Sequence, residues 1–219
     1  MFKNKIVLVT GGSSGIGAAT AVLFAKEGAA VAIVGRNVVK LEEVAEKCTT
    51  YGSQVLTIKA DVSKDEDTDV VVKQAIDKFG KIDVLVNNAG ILREADILSD
   101  NFLDTFDEVN VSSIAGTRVL RPNCIAYRTS KAALNHFTRS CALELAKHGV
   151  RVNSVSPGPT KTNIFDGLAV GADALKAQTA LKKISECEEI ADLIIYLASD
   201  KAKSITGSDY IIDNGTSLL

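Results

Sequence analysis

KIVLVTGGSSGIGAATAVLFAKEG, residues 5–28, decides the fold of this chain. The run 5–10 is short, apolar and rich in β-branched residues, and it stops at glycines, which reads as a buried strand. From Gly15 the apolar positions change to helical spacing, with Ile16, Thr20, Leu23 and Phe24 on one side, and Gly28 ends the pattern. Between strand and helix lies TGGSSGIG, in which Gly11, Gly15 and Gly17 form G-x-x-x-G-x-G. Glycine there permits positive φ and leaves space for a ligand to approach the backbone. The free N–H groups at the start of the following helix favour a pyrophosphate. Gly11, Ser13, Ser14, Gly15, Ile16 and Gly17 are therefore candidate dinucleotide-binding residues. No Gly-Lys-Ser/Thr follows, which disfavours a nucleoside-triphosphate loop. The competing reading is a tight turn that binds nothing.

Outward from this stretch the alternation continues. Strands are expected at 29–35, 54–62 and 81–90, with helices over VVKLEEVAEKCTTYG, closed by Gly52, and over 65–80. These strands are near-continuous apolar runs, which argues for a parallel sheet covered on both faces. Alternation with helices argues for right-handed βαβ units in a doubly wound α/β sheet. A fifth strand is expected near 107–113, a long helix over about 125–148, a sixth strand in VRVNSVSPG, irregular chain over roughly 159–180, and a final strand at 209–215. The last helix opens with SECEE, where Ser185 and Glu188 suit a capping box. There is no repeat, low-complexity tract or linker, so residues 1–219 read as a single domain with one Rossmann-type sheet.

The bulk numbers exclude several classes. The net charge is −2, with no basic excess to follow a phosphate backbone, so nucleic acid is not an expected partner. Cys48, Cys124, Cys141 and Cys187 make no C-x-x-C pair and there are two histidines, so no metal site is expected. The cysteines read as small buried hydrophobes of a reducing compartment. His136 and His148 read as helix residues with no part in chemistry. No stretch is long and apolar enough for a signal or membrane helix, and a cytoplasmic protein without membrane attachment is the expectation.

The end of the second strand bears on the dinucleotide. An acidic residue there holds a ribose 2′-OH, whereas a basic one accommodates a 2′-phosphate. The strand ends VGRN, with Arg36 and no Asp or Glu, which favours NADP(H) over NAD(H). The alternative is that Arg36 is only a solvated loop cation.

Four motifs, TGGSSGIG, NNAG at 87–90, YRTSK at 127–131 and PGPTKT at 157–162, occur in the order and on the elements that resemble the short-chain dehydrogenase/reductase family, and the resemblance covers essentially the whole chain. It implies a hydride-transferring oxidoreductase acting on a small-molecule carbonyl/alcohol pair. It implies that Asp61, in ADV, bonds the adenine amino group with Val62 beside it. Asn88 would stabilise the sheet near the cofactor, with Ala89 and Gly90 beside the adenine ribose. Pro157, Gly158 and Thr162 would line the nicotinamide side. Tyr127 would be the catalytic acid/base, Lys131 its partner, and Ser113 the group that positions the substrate carbonyl.

The chemistry also follows from the residues. Tyr127 and Lys131 stand at i and i+4 and project from one helix face. A free phenol ionises at about 10, too high for a proton shuttle near neutrality, and a neighbouring ammonium and an oxidised nicotinamide are expected to lower it. Ser113 can donate to an oxygen on which negative charge builds.

The pattern breaks at one place. Only 22 residues lie between Gly90 and Ser113. SDNFLDTFDEV resembles the start of the family's next helix and VNVSSIAG the end of its fifth strand, so roughly 20–30 residues are expected to be missing, close to one βαβ unit of about 30. The family's helix asparagine then has no match; Asn110 aligns with the strand instead. The homo-oligomer usual for the family, which is built largely on that helix, is put in question. Two readings stay open, an active NADP(H)-dependent enzyme and an inactive isoform that binds dinucleotide or a full-length partner subunit. A chain that does not fold stably is the third. Ile164, Phe165, Leu168 and Val170 suggest an apolar substrate lid of unspecified preference.

Overall fold

A computed structural model describes residues 1–90, 112–119, 124–162 and 171–219. The shortened crossover, Asn110, most of the expected fifth strand and the lid residues 164–170 lie outside the described residues. The chain divides into two compact units, Met1–Ala89 with Cys187–Ser199, and Gly90–Glu186 with Asp200–Leu219.

The first unit is a parallel sheet with helices. Its elements are β1 (Ile6–Thr10), α1 (Gly15–Lys26), β2 (Ala30–Gly35), α2 (Val38–Thr49), β3 (Val55–Lys59), α3 (Asp65–Phe79), β4 (Val84–Val86) and, from later in the chain, α6 (Cys187–Ala198). The strand order is β3-β2-β1-β4, all parallel. Successive side chains of β1 point to opposite faces, and both faces are buried. Val7 and Val9 join Phe24, Val31, Ile33, Leu41 and Ile195 in one cluster, and Leu8 joins Ala32, Val34, Ile58 and Ala75 in the other. This two-sided burial is why the strands read as continuous apolar runs rather than alternating ones. Phe2 closes one end, edge-on to Phe24 with centroids 4.8 Å apart. α2 is capped by Asn37, whose Oδ1 accepts from the Lys40 N–H at 3.1 Å.

β4 is shorter than the 81–90 expected. Side chains join the pairing at both ends, beside the Asp83 N–H that still donates to the Ile6 carbonyl at 2.9 Å. The Asp83 carboxylate accepts from the Ile6 N–H at 2.8 Å, and beyond Val86 the Asn88 N–H turns to the Thr10 hydroxyl at 3.0 Å.

The second unit contains α4 (Ile125–Leu145), β5 (Ser154–Pro157), α5 (Ala172–Ala177) and β6 (Asp209–Ile212). β5 and β6 pair in parallel with Ser154 opposite Asp209 and Pro157 opposite Ile212. Among the described residues the sheet is thus in two pieces. Residues 112 and 113 are not strand, contrary to the expectation for 107–113. Ser113 caps a 3₁₀ turn at Ile114–Gly116 by accepting from the Ala115 N–H at 3.2 Å, so the chain turns at once. The capping box at SECEE is also not formed as expected. Ser185 is buried, bridges to Thr160 and accepts from Asn214 Nδ2 at 2.8 Å, and α6 starts only at Cys187. The stretch taken as irregular contains α5. His136 and His148 are exposed, and of the cysteines only Cys48 is fully buried, which pushes its thiol up to about 11. Among the described residues no helix is long and apolar enough to cross a membrane.

Candidate active site

In the first unit the glycine loop is held by backbone contacts. Gly11 and Gly15 have φ of +64° and +56°, where a side chain is strained. A Cβ on Gly17 would lie 2.3 Å from both Asn88 Nδ2 and the Gly11 carbonyl oxygen, and one on Gly11 would lie 2.9 Å from Ala89 Cα. Asn88 is the clasp. Its Nδ2 donates to the Thr10 and Gly11 carbonyls at 3.1 and 3.2 Å, and the Ala89 N–H joins the Thr10 hydroxyl at 3.1 Å. Ser14 is the N-cap residue of α1, yet its side chain makes no capping bond, and the first turn carries no acidic residue. The earliest intrahelical bond runs from the Ala18 N–H to the Ser14 carbonyl, so the N–H groups of Gly15, Ile16 and Gly17 are left to a ligand or solvent. Ser13 lies beneath the loop, where its Oγ would be 3.1 Å from a Cβ on Gly35. The donor set suits a dinucleotide pyrophosphate.

Arg36 follows β2 with its side chain largely in solvent, 3.9 Å from the Asp61 carboxylate. The Ser63 hydroxyl and N–H, at 2.8 and 3.2 Å, hold Asp61 below the usual carboxylate range, and Arg36 adds to this. Val62 is half-buried beside it.

In the second unit, Ser113, Tyr127 and Lys131 come together. Lys131 is 2% exposed and its Nζ sits 5.0 Å from the centre of the Tyr127 ring. Burial pushes Lys131 down to about 7. Burial also raises the Tyr127 phenol, against a hydrogen bond with Ser113 that lowers it, and Cys124 adds slightly to the rise. The lowered phenol expected from the sequence is therefore not met: desolvation outweighs the local contacts. The Ser113 hydroxyl reaches the Pro157 carbonyl only at 3.5 Å, a weak hold that leaves its proton free to turn to a stronger acceptor. Gly158 packs against Asp213, where a Cβ would meet Asp213 Cα at 2.7 Å. Thr162 sits at the edge of the described chain, 3.5 Å from the Thr160 carbonyl, and Gly90 is exposed.

The sequence reading missed a polar cluster behind Ser113, in which buried Ser112, Asn135, Ser154 and Ser156 gather on the half-buried Asp209. Two signals pointed to it: Asn135 extends the i, i+4 stripe of Tyr127 and Lys131, and Asp209 opens an otherwise apolar strand.

The first unit carries a glycine-rich turn on a parallel sheet, and the second a Ser, a Tyr and a buried Lys brought together on their own elements. Residues 5–109 match the family described as short chain dehydrogenase, and residues 107–217 the family described as enoyl-(acyl carrier protein) reductase. An uncharacterized oxidoreductase of Thermotoga maritima is 36% identical, covering 98% of both chains. A cis-4-hydroxycyclohexanecarboxylate dehydrogenase of Sinomonas cyclohexanicum is 33% identical over 98% of this chain and 97% of that one. A short chain dehydrogenase of Burkholderia cenocepacia, crystallised in complex with NADP, superposes with a TM-score of 0.91 at 30% identity and 99% coverage of both chains. The chain belongs to the short-chain dehydrogenase/reductase family. The Thermotoga alignment runs over 253 positions, more than the 219 residues of this chain, so part of that relative has no counterpart here.

Proposed function

We propose that residues 1–219 act as one NADP(H)-dependent oxidoreductase domain that interconverts a carbonyl and an alcohol, with Tyr127 giving or taking the proton. The observation that carries this reading is the buried Lys131 one helical turn beyond Tyr127, its Nζ 5.0 Å from the centre of the phenol ring. When bound, the reduced nicotinamide supplies the hydride. The chain's own residues do the rest. The α1 N–H groups and the glycine loop hold the pyrophosphate. Arg36, in a solvent-exposed pair that contributes little by itself, can turn its guanidinium to a 2′-phosphate. Asp61, Val62, Asn88, Ala89 and Gly90 serve the adenosine half, and Pro157, Gly158 and Thr162 the nicotinamide half.

Ser113 turns its hydroxyl from the distant Pro157 carbonyl to the substrate oxygen and strengthens that bond as charge builds. The raised Tyr127 phenol keeps its proton at neutral pH and delivers it to the oxygen, a state suited to carbonyl reduction. Lys131, poised near neutrality, takes up a proton as the ammonium and stabilises the phenolate left at Tyr127. The cytoplasm is the compartment we assign.

A second reading is an inactive isoform that binds dinucleotide or pairs with a full-length subunit. The relative's unmatched positions favour it, as does the meeting of the two family matches at 107–109. The two readings separate in one assay. Purified chain is mixed with NADPH and a panel of ketones, aldehydes and quinones while the nicotinamide absorbance is followed. Turnover that disappears in Tyr127→Phe supports the enzyme. Folded chain that oxidises NADPH with none of the panel contradicts it.

A further inference from the structure

The polar cluster behind Ser113 is an unusual thing to bury. Ser112, Asn135, Ser154 and Ser156 are 5%, 4%, 8% and 0% exposed, and all converge on the Asp209 carboxylate directly or through one another. Ser154 Oγ donates to Asp209 Oδ1 at 2.8 Å, and Asn135 Nδ2 donates to Oδ2 at 3.1 Å. Ser156 Oγ lies 2.7 and 2.9 Å from the two carboxylate oxygens and 3.1 Å from Ser112 Oγ. Ser112 Oγ donates to Asn135 Oδ1. Ser154 and Ser156 share one face of β5, and the register sets Asp209 of β6 directly opposite Ser154. Asn135 follows Lys131 by one turn on α4, on the face that carries Tyr127. One carboxylate therefore ties α4, β5 and β6 to the residue that precedes Ser113.

Counting hydrogens makes the arrangement directional. Each serine has one hydrogen to give, and the carboxylate accepts only. With the Ser112 hydrogen committed to Asn135 Oδ1, the Asn135 amide can turn only one way, its nitrogen to Asp209. A purely structural core at the four buried positions would do as well with apolar side chains, with no hydroxyl or amide left to satisfy. Fully satisfied polar networks fix a single arrangement, and what this one fixes is the backbone at 112–113.

We propose that Asp209 is a positioning residue for the candidate active site: through Asn135 and Ser112, with Ser156 packed between the carboxylate and Ser112, it fixes the backbone of Ser113 against the Tyr127 phenol. The catalytic meaning of that placement rests on the function proposed above, but the placement itself is testable without turnover.

The test replaces Tyr127 with 3,5-difluorotyrosine, whose phenol ionises closer to neutrality than tyrosine's, and follows its ¹⁹F signal against pH in the full chain. The groups set around this phenol are Ser113, Cys124 and Lys131. Ser113→Ala, which removes the lowering hydrogen bond, marks the shift to be reproduced. Asp209→Leu moves the ionisation to higher pH in the same direction. Asp209→Asn restores it, because the amide oxygen still accepts from Asn135 and the serine hydroxyls can turn to accept from its nitrogen. Ser112→Ala, the smallest change in the chain of contacts, shifts it as Asp209→Leu does, and it decides the matter if Asp209→Leu does not fold. In the active chain, Asp209→Leu and Ser112→Ala lower kcat at least tenfold and Asp209→Asn leaves it near the wild-type value, while NADPH affinity, read by fluorescence, stays within twofold in all three. A lowered melting temperature with an unmoved ¹⁹F titration overturns the proposal. If the variants shift the titration as described while the wild-type chain reduces no carbonyl, the positioning stands and the proposed function fails.

Discussion

The glycine loop and the Ser113–Tyr127–Lys131 cluster are built by opposite means. The loop is a backbone device. Its glycines lie where a Cβ would strike Asn88 or the chain itself, and one asparagine and one threonine hydroxyl clasp it. Its charges, Arg36 and Asp61, stay near solvent. The cluster is a side-chain device, with a lysine at 2% exposure and a serine–asparagine–aspartate network behind it. The loop is stable because its residues are small. The cluster holds groups that the fold must work to bury. The first is fit to bind, the second to titrate.

The largest expected effect separates these roles. Tyr127→Phe removes the proton donor and should lower kcat about 10³-fold, within the range of general acid–base catalysis, while NADPH fluorescence titration gives an unchanged Kd. A parallel loss of NADPH binding would show that the two regions are not separable in this way.

Lys131→Met should lower kcat about 10²-fold and yet stabilise the chain. The buried lysine has its pKa depressed from 10.5 to about 7. Above 10.5 neither state is protonated and burial carries no ionic penalty. As pH falls from 10.5 to about 7, the unfolded chain takes up a proton that the folded chain refuses, so wild-type stability declines across that window and levels off below it. Denaturant unfolding at several pH values should therefore show Lys131→Met more stable by a few kcal/mol at pH 7, an advantage that fades toward pH 10.5. A constant difference across pH would show that the gain is packing alone.

Gly17→Ala addresses the other region. With 2.3 Å to Asn88 Nδ2 and to the Gly11 carbonyl, the new methyl forces the loop open. Dinucleotide affinity should fall at least about tenfold, with a stability loss of about 1–3 kcal/mol from overpacking. The smallest effect is Arg36→Ala, which should leave NADH binding alone and weaken NADPH about tenfold, the worth of one charge-assisted contact. Equal weakening of both would place Arg36 outside 2′-phosphate recognition.

This contrast also explains what could be read before the structure. β1, α1 and the loop follow from apolar periods and glycine spacing, because their constraints are local. So does the i, i+4 stripe of Tyr127 and Lys131. The depth of Lys131, and the direction in which Tyr127 moves, depend on residues far away in sequence that exclude water, and no pattern in YRTSK states how much water remains. Asp209 is further still from view, since its partners Ser112, Asn135, Ser154 and Ser156 come from three other segments. The unmade capping box at Ser185 has a distant cause, since its hydroxyl is taken by Asn214 from well beyond α6 in the chain.

The central claim is hydride transfer to a carbonyl with the proton from Tyr127. The most direct measurement gives the chain NADPH deuterated at the transferring position, with the best ketone of the panel, and weighs the alcohol formed. Wild-type chain should place one deuterium on the carbinol carbon, and Tyr127→Phe should form labelled alcohol about 10³-fold more slowly. Labelled alcohol formed equally well by Tyr127→Phe, or none formed by a folded, NADPH-saturated wild type, would contradict it.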